Sequence, residues 1–421
     1  MRKPSKSIDH GPGDHRSGGH GPWSRFLCLA FVAVHASAYS VLTHEALIDT
    51  TWDGDIKPLL LQHYPGTTDD QLREAHAYAY GGAIIQDMGY YPLGNKFFSD
   101  LVHYTRSADF VMALLRDAQD ANEYAFALGA LAHYAADNEG HPIGVNRAVP
   151  LIYPKLARKF GPEVTYEDDP GAHLKTEFAF DVVEVARGKY ASETYHNFIG
   201  FKVSKPVLER AFLDTYSLEL KDLFRTLDLA LGTYRYTVSE VIPEMTKTAW
   251  SAKKADIQRL QAGITQNKFV YRVDRASYRK QWTEPYSRPG TGARLLSCLF
   301  RVIPKVGPFK GLGFRVPSPE AEQHFLKSFD ITLQQYRSLL AEVKQNRLRL
   351  ENQNFDTGRP TRLGDYRKAD EAYCKLLEYL AKGKSVSPEL RSNIVAYYGG
   401  SSWPESEKAR AELAALRNPS E

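Results

Sequence analysis

The chain has 421 residues, a formal net charge of +4 and 43% hydrophobic residues. This length and hydrophobic content suffice for one large or two ordinary domains with buried cores, which excludes a wholly disordered chain. No apolar run after residue 38 is long enough to cross a bilayer as a helix, so we expect a soluble or peripheral protein.

Residues 1–38 have the features of an export leader. A polar stretch ends in Arg25, a short apolar run covers 26–34, and Ala36-Ser-Ala38 matches an A-x-A cleavage signal. The alternative is an unprocessed disordered tail. We favour export, which predicts a secreted or periplasmic protein cleaved near Ala38, with Tyr39 as its first residue.

The part from 39 to 250 has a helical pattern with recognisable helix starts. Thr68 and Gln71 form a capping-box pattern, and Asp169-Pro170 is a cap followed by proline at the first helical position. Residues 142–170 contain Pro, Gly and acidic residues without clear periodicity, which predicts a long surface excursion. The predicted helices cover about 107–118, 121–139, 170–188, 205–225 and 226–248.

The character of the chain changes after residue 250. Residues 251–315 carry fourteen Lys and Arg against three acidic residues, interleaved with aromatic residues, whereas 39–250 is net acidic. Helices are predicted again at about 318–350, 366–382, 387–399 and 404–416. We therefore predict four parts: a leader (1–38), a catalytic domain (39–250), a basic aromatic segment (251–317) and a helical C-terminal region (318–421). The fold class predicted is all-α.

Histidine and carboxylate residues recur at spacings that suit a metal site. His133 and Asp137 lie four residues apart on a helix that reads as buried, His141 follows four residues later, and His173 and Glu177 repeat the spacing. Residues at i and i+4 project from one helix face, so each pair can reach one ion. An isolated HxxxD is more often a core histidine with a capping aspartate, but the repetition favours a metal. No cysteine joins the set, which suits a catalytic site better than a structural one.

Taken in order, these residues resemble the zinc-dependent phospholipase C family, which shares its helical fold and three-zinc site with nucleases of the S1/P1 type. The residues that carry the resemblance are Tyr39, His44, Asp87, His103, His133, Asp137, His141, His173 and Glu177. The resemblance covers roughly 39–250. It implies a multi-helix bundle with a buried trinuclear zinc site.

The resemblance also implies a ligand set. One Zn²⁺ would take Asp87, His103, His133 and Asp137. A second would take His44, Asp137 as a bridge, and the free amine and carbonyl of Tyr39. A third would take His141, His173 and Glu177. Paired zinc ions lower the pKa of a bound water to give hydroxide near neutral pH, and Asp87 would double as the general base.

Three functions remain open from the sequence. The first is hydrolysis of a phospholipid between glycerol and phosphate, the second a single-strand nuclease with the same metals, and the third a non-catalytic zinc-stabilised module. An acidic catalytic domain is a poor surface for a polyanion, which argues against nucleic acid. The segment 251–315 contacts an anionic membrane, binds single-stranded nucleic acid or packs within the protein, and nucleic acid is the least favoured of the three. Two mature cysteines, Cys298 and Cys374, leave a disulfide open.

Overall fold

The polypeptide folds almost entirely into helices. The structure, a computed structural model, describes residues 40–91, 93–186, 201–238, 250, 254–255, 257–259, 263, 265–266, 315–400 and 404–418. The predicted leader, Tyr39, Cys298 and nearly all of the basic segment lie outside the described residues. The prediction of an all-α fold is confirmed.

The described part of the chain contains sixteen α-helices. They are α1 (Val41–Thr51), α2 (Lys57–His63), α3 (Asp69–Ile84), α4 (Lys96–Tyr104), α5 (Ser107–Asp117), α6 (Ala121–Glu139), α7 (Asn146–Ile152), α8 (Pro154–Phe160), α9 (Pro170–Ala186), α10 (Lys205–Tyr216), α11 (Leu220–Leu223), α12 (Leu227–Tyr236), α13 (Pro319–Lys344), α14 (Arg367–Leu380), α15 (Pro388–Tyr398) and α16 (Glu407–Arg417). A 3₁₀ segment (Ile85–Tyr90) extends α3, and π-helical segments lie at Trp52–Ile56 and Gly140–Val145. The strands β1 (Gln353–Asn354) and β2 (Arg359–Pro360) pair antiparallel.

Helix α6 lies at the centre of the core and packs against α3, α5 and α13. The side chain of Asp120 caps it by accepting a hydrogen bond from the backbone N–H of Glu123 at 2.8 Å. Helix α3 crosses α6 closely because both helices have glycine at the crossing. A Cβ at Gly82 would overlap the carbonyl oxygen of Phe126, and one at Gly129 would overlap that of Ala79. The close crossing brings the end of α3 beside the C-terminal half of α6.

Local signals in the sequence set several helix starts. The predicted capping box is present, with the Thr68 side chain accepting from the Gln71 N–H and the Gln71 side chain accepting from the Thr68 N–H. Asp169 caps α9 by accepting from the N–H of Ala172 at 2.8 Å. These caps satisfy N–H groups that the first helical turn leaves without partners.

One expectation for an irregular segment was wrong. Residues 142–170 are not one long surface excursion, because α7 and α8 follow the π-helical segment. The prolines mask this pattern, although Val145, Val149 and Ile152 are buried at helical spacing. The C-terminal region also contains the short β1–β2 hairpin, which the helical prediction did not include. Among the described residues, no helix combines the length and apolar character needed to cross a membrane.

Candidate metal centre

Six parts of the chain bring imidazole and carboxylate groups to one place in the core. The residues are His44 on α1, Asp87 on the 3₁₀ segment, His103 at the end of α4, His133 and Asp137 on α6, His141 on the π-helical segment, and His173 and Glu177 on α9. All eight are buried. Their donor atoms form three groups that could each hold an ion, the first two sharing His133: His44, His133 and Asp137; Asp87, His103 and His133; His141, His173 and Glu177. The ninth predicted ligand, Tyr39, is outside the described residues.

The first position lies where α4 meets the close crossing of α3 and α6. Nε2 of His103 is 3.3 Å from Oδ1 of Asp87 and 3.5 Å from Oδ2 of Asp137. Nε2 of His133 is 3.1 Å from the same Asp137 oxygen. Zinc binds such donors at about 2.0–2.2 Å, so a tetrahedral arrangement separates them by roughly 3.4 Å. The observed spacings therefore suit one zinc ion.

Hydrogen bonds at the far side of each ring leave lone pairs facing this position. His103 donates Nδ1–H to the carbonyl oxygen of Ser99 at 2.8 Å, and His133 donates Nδ1–H to that of Ala83 at 2.9 Å. A neutral imidazole protonated at Nδ1 has a lone pair on Nε2. The two Nε2 atoms lie only 3.3 Å apart, so neutral rings would repel unless a cation or a proton lies between them. This arrangement fits a metal ion.

Asp137 is the common member of the centre. Its Oδ1 is 3.6 Å from Nε2 of His44, and its Oδ2 is 4.0 Å from Nε2 of His141. Neither carboxylate oxygen accepts a hydrogen bond from a backbone N–H or a hydroxyl among the described residues, although the side chain is completely buried. A buried carboxylate without such partners is costly unless it is charge-compensated. The second position lies between Asp137 and His44. The ring of His44 stacks on the ring of His133 there, with 4.5 Å between the ring centroids.

The third position is built by α9 and the π-helical segment. Nδ1 of His173 is 3.0 Å from Oε1 of Glu177, and the rings of His141 and His173 lie 5.2 Å apart. Nε2 of His173 donates to Oδ1 of Asn146 at 2.7 Å, which leaves Nδ1 as the donor to an ion. The π-helical turn follows from Pro142, whose missing N–H interrupts the α-helical ladder, and it presents His141 to the same centre.

Protonation in the metal-free protein differs among the histidines. Burial lowers the pKa of His44 to about 4, and the charge of nearby His133 contributes to this lowering. Burial lowers the pKa of His141 to about 3, and the charge of nearby His103 contributes in the same way. Both rings are therefore neutral at pH 7. Burial also acts to lower the pKa of His103, but hydrogen bonds to Asp137 and Asp87 outweigh it and raise the value to about 10. Burial, followed by the charge of Asp87, raises the pKa of Glu177 well above its usual value.

Two residues at the centre were missed by the sequence analysis. Asn146 orients His173, and Asp356 of the β1–β2 hairpin approaches His141, with Oδ1 of Asp356 3.2 Å from Nδ1 of His141. The polar turn Asn354-Phe-Asp-Thr-Gly358 indicates a tight loop, but nothing in its composition associates it with a histidine more than two hundred residues earlier. The predicted catalytic residue, Asp87, lies at the first position beside His103.

Comparison with known families decides the assignment. Residues 43–225 match the model of the family described as zinc dependent phospholipase C. This part of the chain belongs to the zinc-dependent phospholipase C family. The eight described candidate ligands all fall inside the matched range. No curated protein and no solved structure is significantly similar to the chain.

Membership of the family gives the centre its chemistry. The protein is a zinc-dependent enzyme of the phospholipase C type, a phosphoric diester hydrolase. A centre of histidine and carboxylate donors without thiolate agrees with a hydrolytic zinc site. The β1–β2 hairpin and Asp356 lie outside the matched range, so the family resemblance says nothing about their role at the centre.

Proposed function

We propose that the enzyme is exported and hydrolyses a phospholipid between glycerol and phosphate at a centre of three zinc ions. The observation that carries the proposal is the convergence of His44, His103 and His133 on the two oxygens of buried Asp137, beside a separate donor group on α9 and the π-helical segment. Bound zinc would neutralise the phosphate and activate a water molecule for attack on phosphorus. The first position would be held by Asp87, His103, His133 and Asp137, the second by His44, Asp137 and the mature N-terminus, and the third by His141, His173 and Glu177.

The residues around the centre have distinct tasks in this mechanism. Asp87 is a buried member of the first position, and its carboxylate would take the proton of the attacking water as the general base. His103 and His133 keep their Nε2 lone pairs directed inward because backbone carbonyls hold their Nδ1–H groups. The surrounding aromatic side chains exclude bulk water, with the ring of Phe355 5.4 Å from that of His103 and 6.0 Å from that of His133. Low local polarity strengthens every charge interaction with the phosphate.

A cavity beside the third position offers a route for the polar part of the substrate. It has a volume of about 570 Å³ and is lined in part by Asn146, Arg147 and Arg359. Asn146 also holds His173, so the cavity and the third position share a wall. The lining also contains five carboxylates, and Arg147 is paired with one of them, Glu163, at 3.4 Å. We propose that this polar cavity accommodates the head group of the substrate.

Product analysis on purified, zinc-loaded protein tests the proposal. Vesicles of phosphatidylcholine or phosphatidylinositol and single-stranded DNA would be supplied in parallel, with Asp137→Asn as the inactive control. The expected products are diacylglycerol and the phosphorylated head group, which identify the bond that is cleaved. Phosphatidic acid as the product would contradict the bond assignment.

The other outcomes separate the alternative functions. Cleavage of single-stranded DNA without lipid turnover would replace the proposal with a nuclease function, which the same metals could catalyse. Tight zinc binding without turnover of any of the substrates would favour a zinc-stabilised binding module.

A further inference from the structure

The β1–β2 hairpin is held directly against the metal centre. The backbone N–H of Phe355 donates to the carbonyl oxygen of His103 at 3.2 Å. The side chain of Asn146 donates to the carbonyl oxygen of Asp356 at 2.7 Å. Gly358 has a φ of +62°, and a Cβ there would overlap the carbonyl oxygen of Asn138. Because backbone groups fix the hairpin at several points, the side chain of Asp356 has a defined position.

The carboxylate of Asp356 is buried, and its two oxygen atoms have different neighbours. Oδ2 accepts hydrogen bonds from the backbone N–H of Tyr166 at 2.9 Å and from the hydroxyl of Tyr366. Oδ1 faces Nδ1 of His141 at 3.2 Å. The two donors on Oδ2 hold the carboxylate so that Oδ1 lies next to the imidazole; neither Oδ1 nor Nδ1 of His141 has a hydrogen-bond partner among the described residues.

The other histidines of the first and third positions explain what this contact does. His103 and His133 donate Nδ1–H to backbone carbonyls, and His173 donates Nε2–H to the amide oxygen of Asn146. In each ring the second nitrogen is thereby left for an ion. For His141, Nε2 is 4.0 Å from Oδ2 of Asp137, and the carboxylate next to its Nδ1 is that of Asp356, 3.2 Å away.

We propose that Asp356 is a positioning residue for the third metal position, which accepts Nδ1–H of His141 and leaves Nε2 free to bind the ion. A carboxylate is a stronger acceptor than a carbonyl or an amide, so it holds the tautomer firmly and increases the electron donation of the imidazole to a metal. The third position thus depends on a residue from the C-terminal region, outside the range that matches the family. This inference rests on the three-zinc centre of the proposed function.

Zinc binding by variants of the full-length protein tests the inference. Asp356→Asn removes the charged acceptor with little change in volume, and Asp330→Asn replaces an exposed carboxylate of α13 as the matched control. Tyr366→Phe removes one donor to Asp356 and gives a milder change. His141→Ala removes a ligand of the third position, so the ion that this variant loses is identified as the ion of that position. Zinc per chain and zinc affinity would be measured by competition with a chelator, and Co²⁺ loading would give an absorption spectrum for each position.

The expected result is selective for one ion. Asp356→Asn should bind one ion about 10–100-fold more weakly, the range typical of lost second-layer partners, and it should be the ion that His141→Ala loses. Tyr366→Phe should weaken the same ion less, and Asp330→Asn should match the wild type. Equal affinity for all ions in Asp356→Asn and wild type would overturn the inference. An equal loss of affinity for every zinc ion in Asp356→Asn would also overturn the inference, because it would indicate only a structural role for the hairpin.

The result also separates this inference from the proposed function. Wild-type protein that binds no zinc would contradict the three-zinc centre itself. Wild-type protein that binds zinc normally, with Asp356→Asn indistinguishable from it, would overturn the role of Asp356 alone.

Discussion

Nε2 of His103 and Oδ1 of Asp87 form a buried pair, 3.3 Å apart. In the metal-free protein this pair holds a proton at neutral pH, because hydrogen bonds to Asp137 and Asp87 raise the pKa of His103 to about 10 in spite of its burial. The proton occupies the electron pair that a metal ion would use. Metal binding and protonation of His103 therefore compete.

Zinc binding is accordingly expected to release at least one proton per chain at pH 7. Affinity for zinc should rise with pH, by about tenfold per pH unit for each proton released, because below a pKa of about 10 the proton must leave first. Titration calorimetry in buffers of different ionisation enthalpy measures the number released. His324→Gln, away from the centre, is the control, and zinc uptake without proton release would contradict the prediction.

Removal of the shared ligands should abolish function. Asp137→Asn and His133→Ala are expected to lower turnover by at least two orders of magnitude, more than the roughly 10–100-fold typical of residues one layer further from a metal. Asp137→Asn should also lose more than one ion, since its two oxygens face different positions. Lipid turnover and zinc content check this against Asp330→Asn. Near-normal turnover at unchanged zinc content would refute the ligand assignment.

The close crossing of α3 and α6 makes a prediction about stability. Gly129→Ala should lower the free energy of unfolding by about 1–3 kcal/mol, because its Cβ would overlap the carbonyl oxygen of Ala79 and force the helices apart. Zinc affinity should fall as well, since the crossing holds Asp87 near His133. Gly232→Ala in α12 has open space and should be neutral or slightly stabilising. Denaturant unfolding of the two variants compares them, and equal stabilities would contradict the close crossing.

Export processing is predicted to complete the second metal position. Cleavage after Ala38 would leave the free amine of Tyr39 five residues before His44, and an amine with a pKa near 7.7–8.0 can lose its proton to bind zinc. Asp181 fixes the chain near this point by accepting from the Thr43 hydroxyl at 2.7 Å. A protein with Met-Gly added before Tyr39 should bind one ion fewer or more weakly and turn over more slowly. Equal zinc content and rate in both forms would refute an N-terminal ligand.

The basic segment 251–315 is predicted to contact anionic membranes. Fourteen cationic side chains among aromatic residues should make binding to vesicles rise with the fraction of anionic lipid and fall with salt. Sedimentation with vesicles of graded phosphatidylserine content measures it. A variant with six of these Lys and Arg residues changed to Gln should bind less. Binding that is absent or insensitive to salt would instead indicate packing within the protein.

Sequence alone determined those features that depend on neighbours along the chain. The caps at Thr68 and Asp169 and the limits of α6 follow from short-range hydrogen bonds and apolar spacing, which local sequence specifies. The i, i+4 pairs of α6 and α9 identify residues that can share an ion, because a helix fixes their relative direction. The helices α7 and α8 were missed because Pro150 and Pro154 resemble loop signals, although Val149 of α7 is buried in the core.

Tertiary structure decided which distant groups meet. Asn146 and Asp356 are 210 positions apart in the chain, yet a hydrogen bond of 2.7 Å joins them beside His173 and His141. No periodicity encodes such a pairing, since it depends on how the hairpin after α13 packs on the π-helical segment. The directions of the His133 and His173 rings were likewise set by distant acceptors, the carbonyl oxygen of Ala83 and the amide oxygen of Asn146. Sequence identifies the side chains able to bind zinc, and long-range packing determines which nitrogen of each faces the ion.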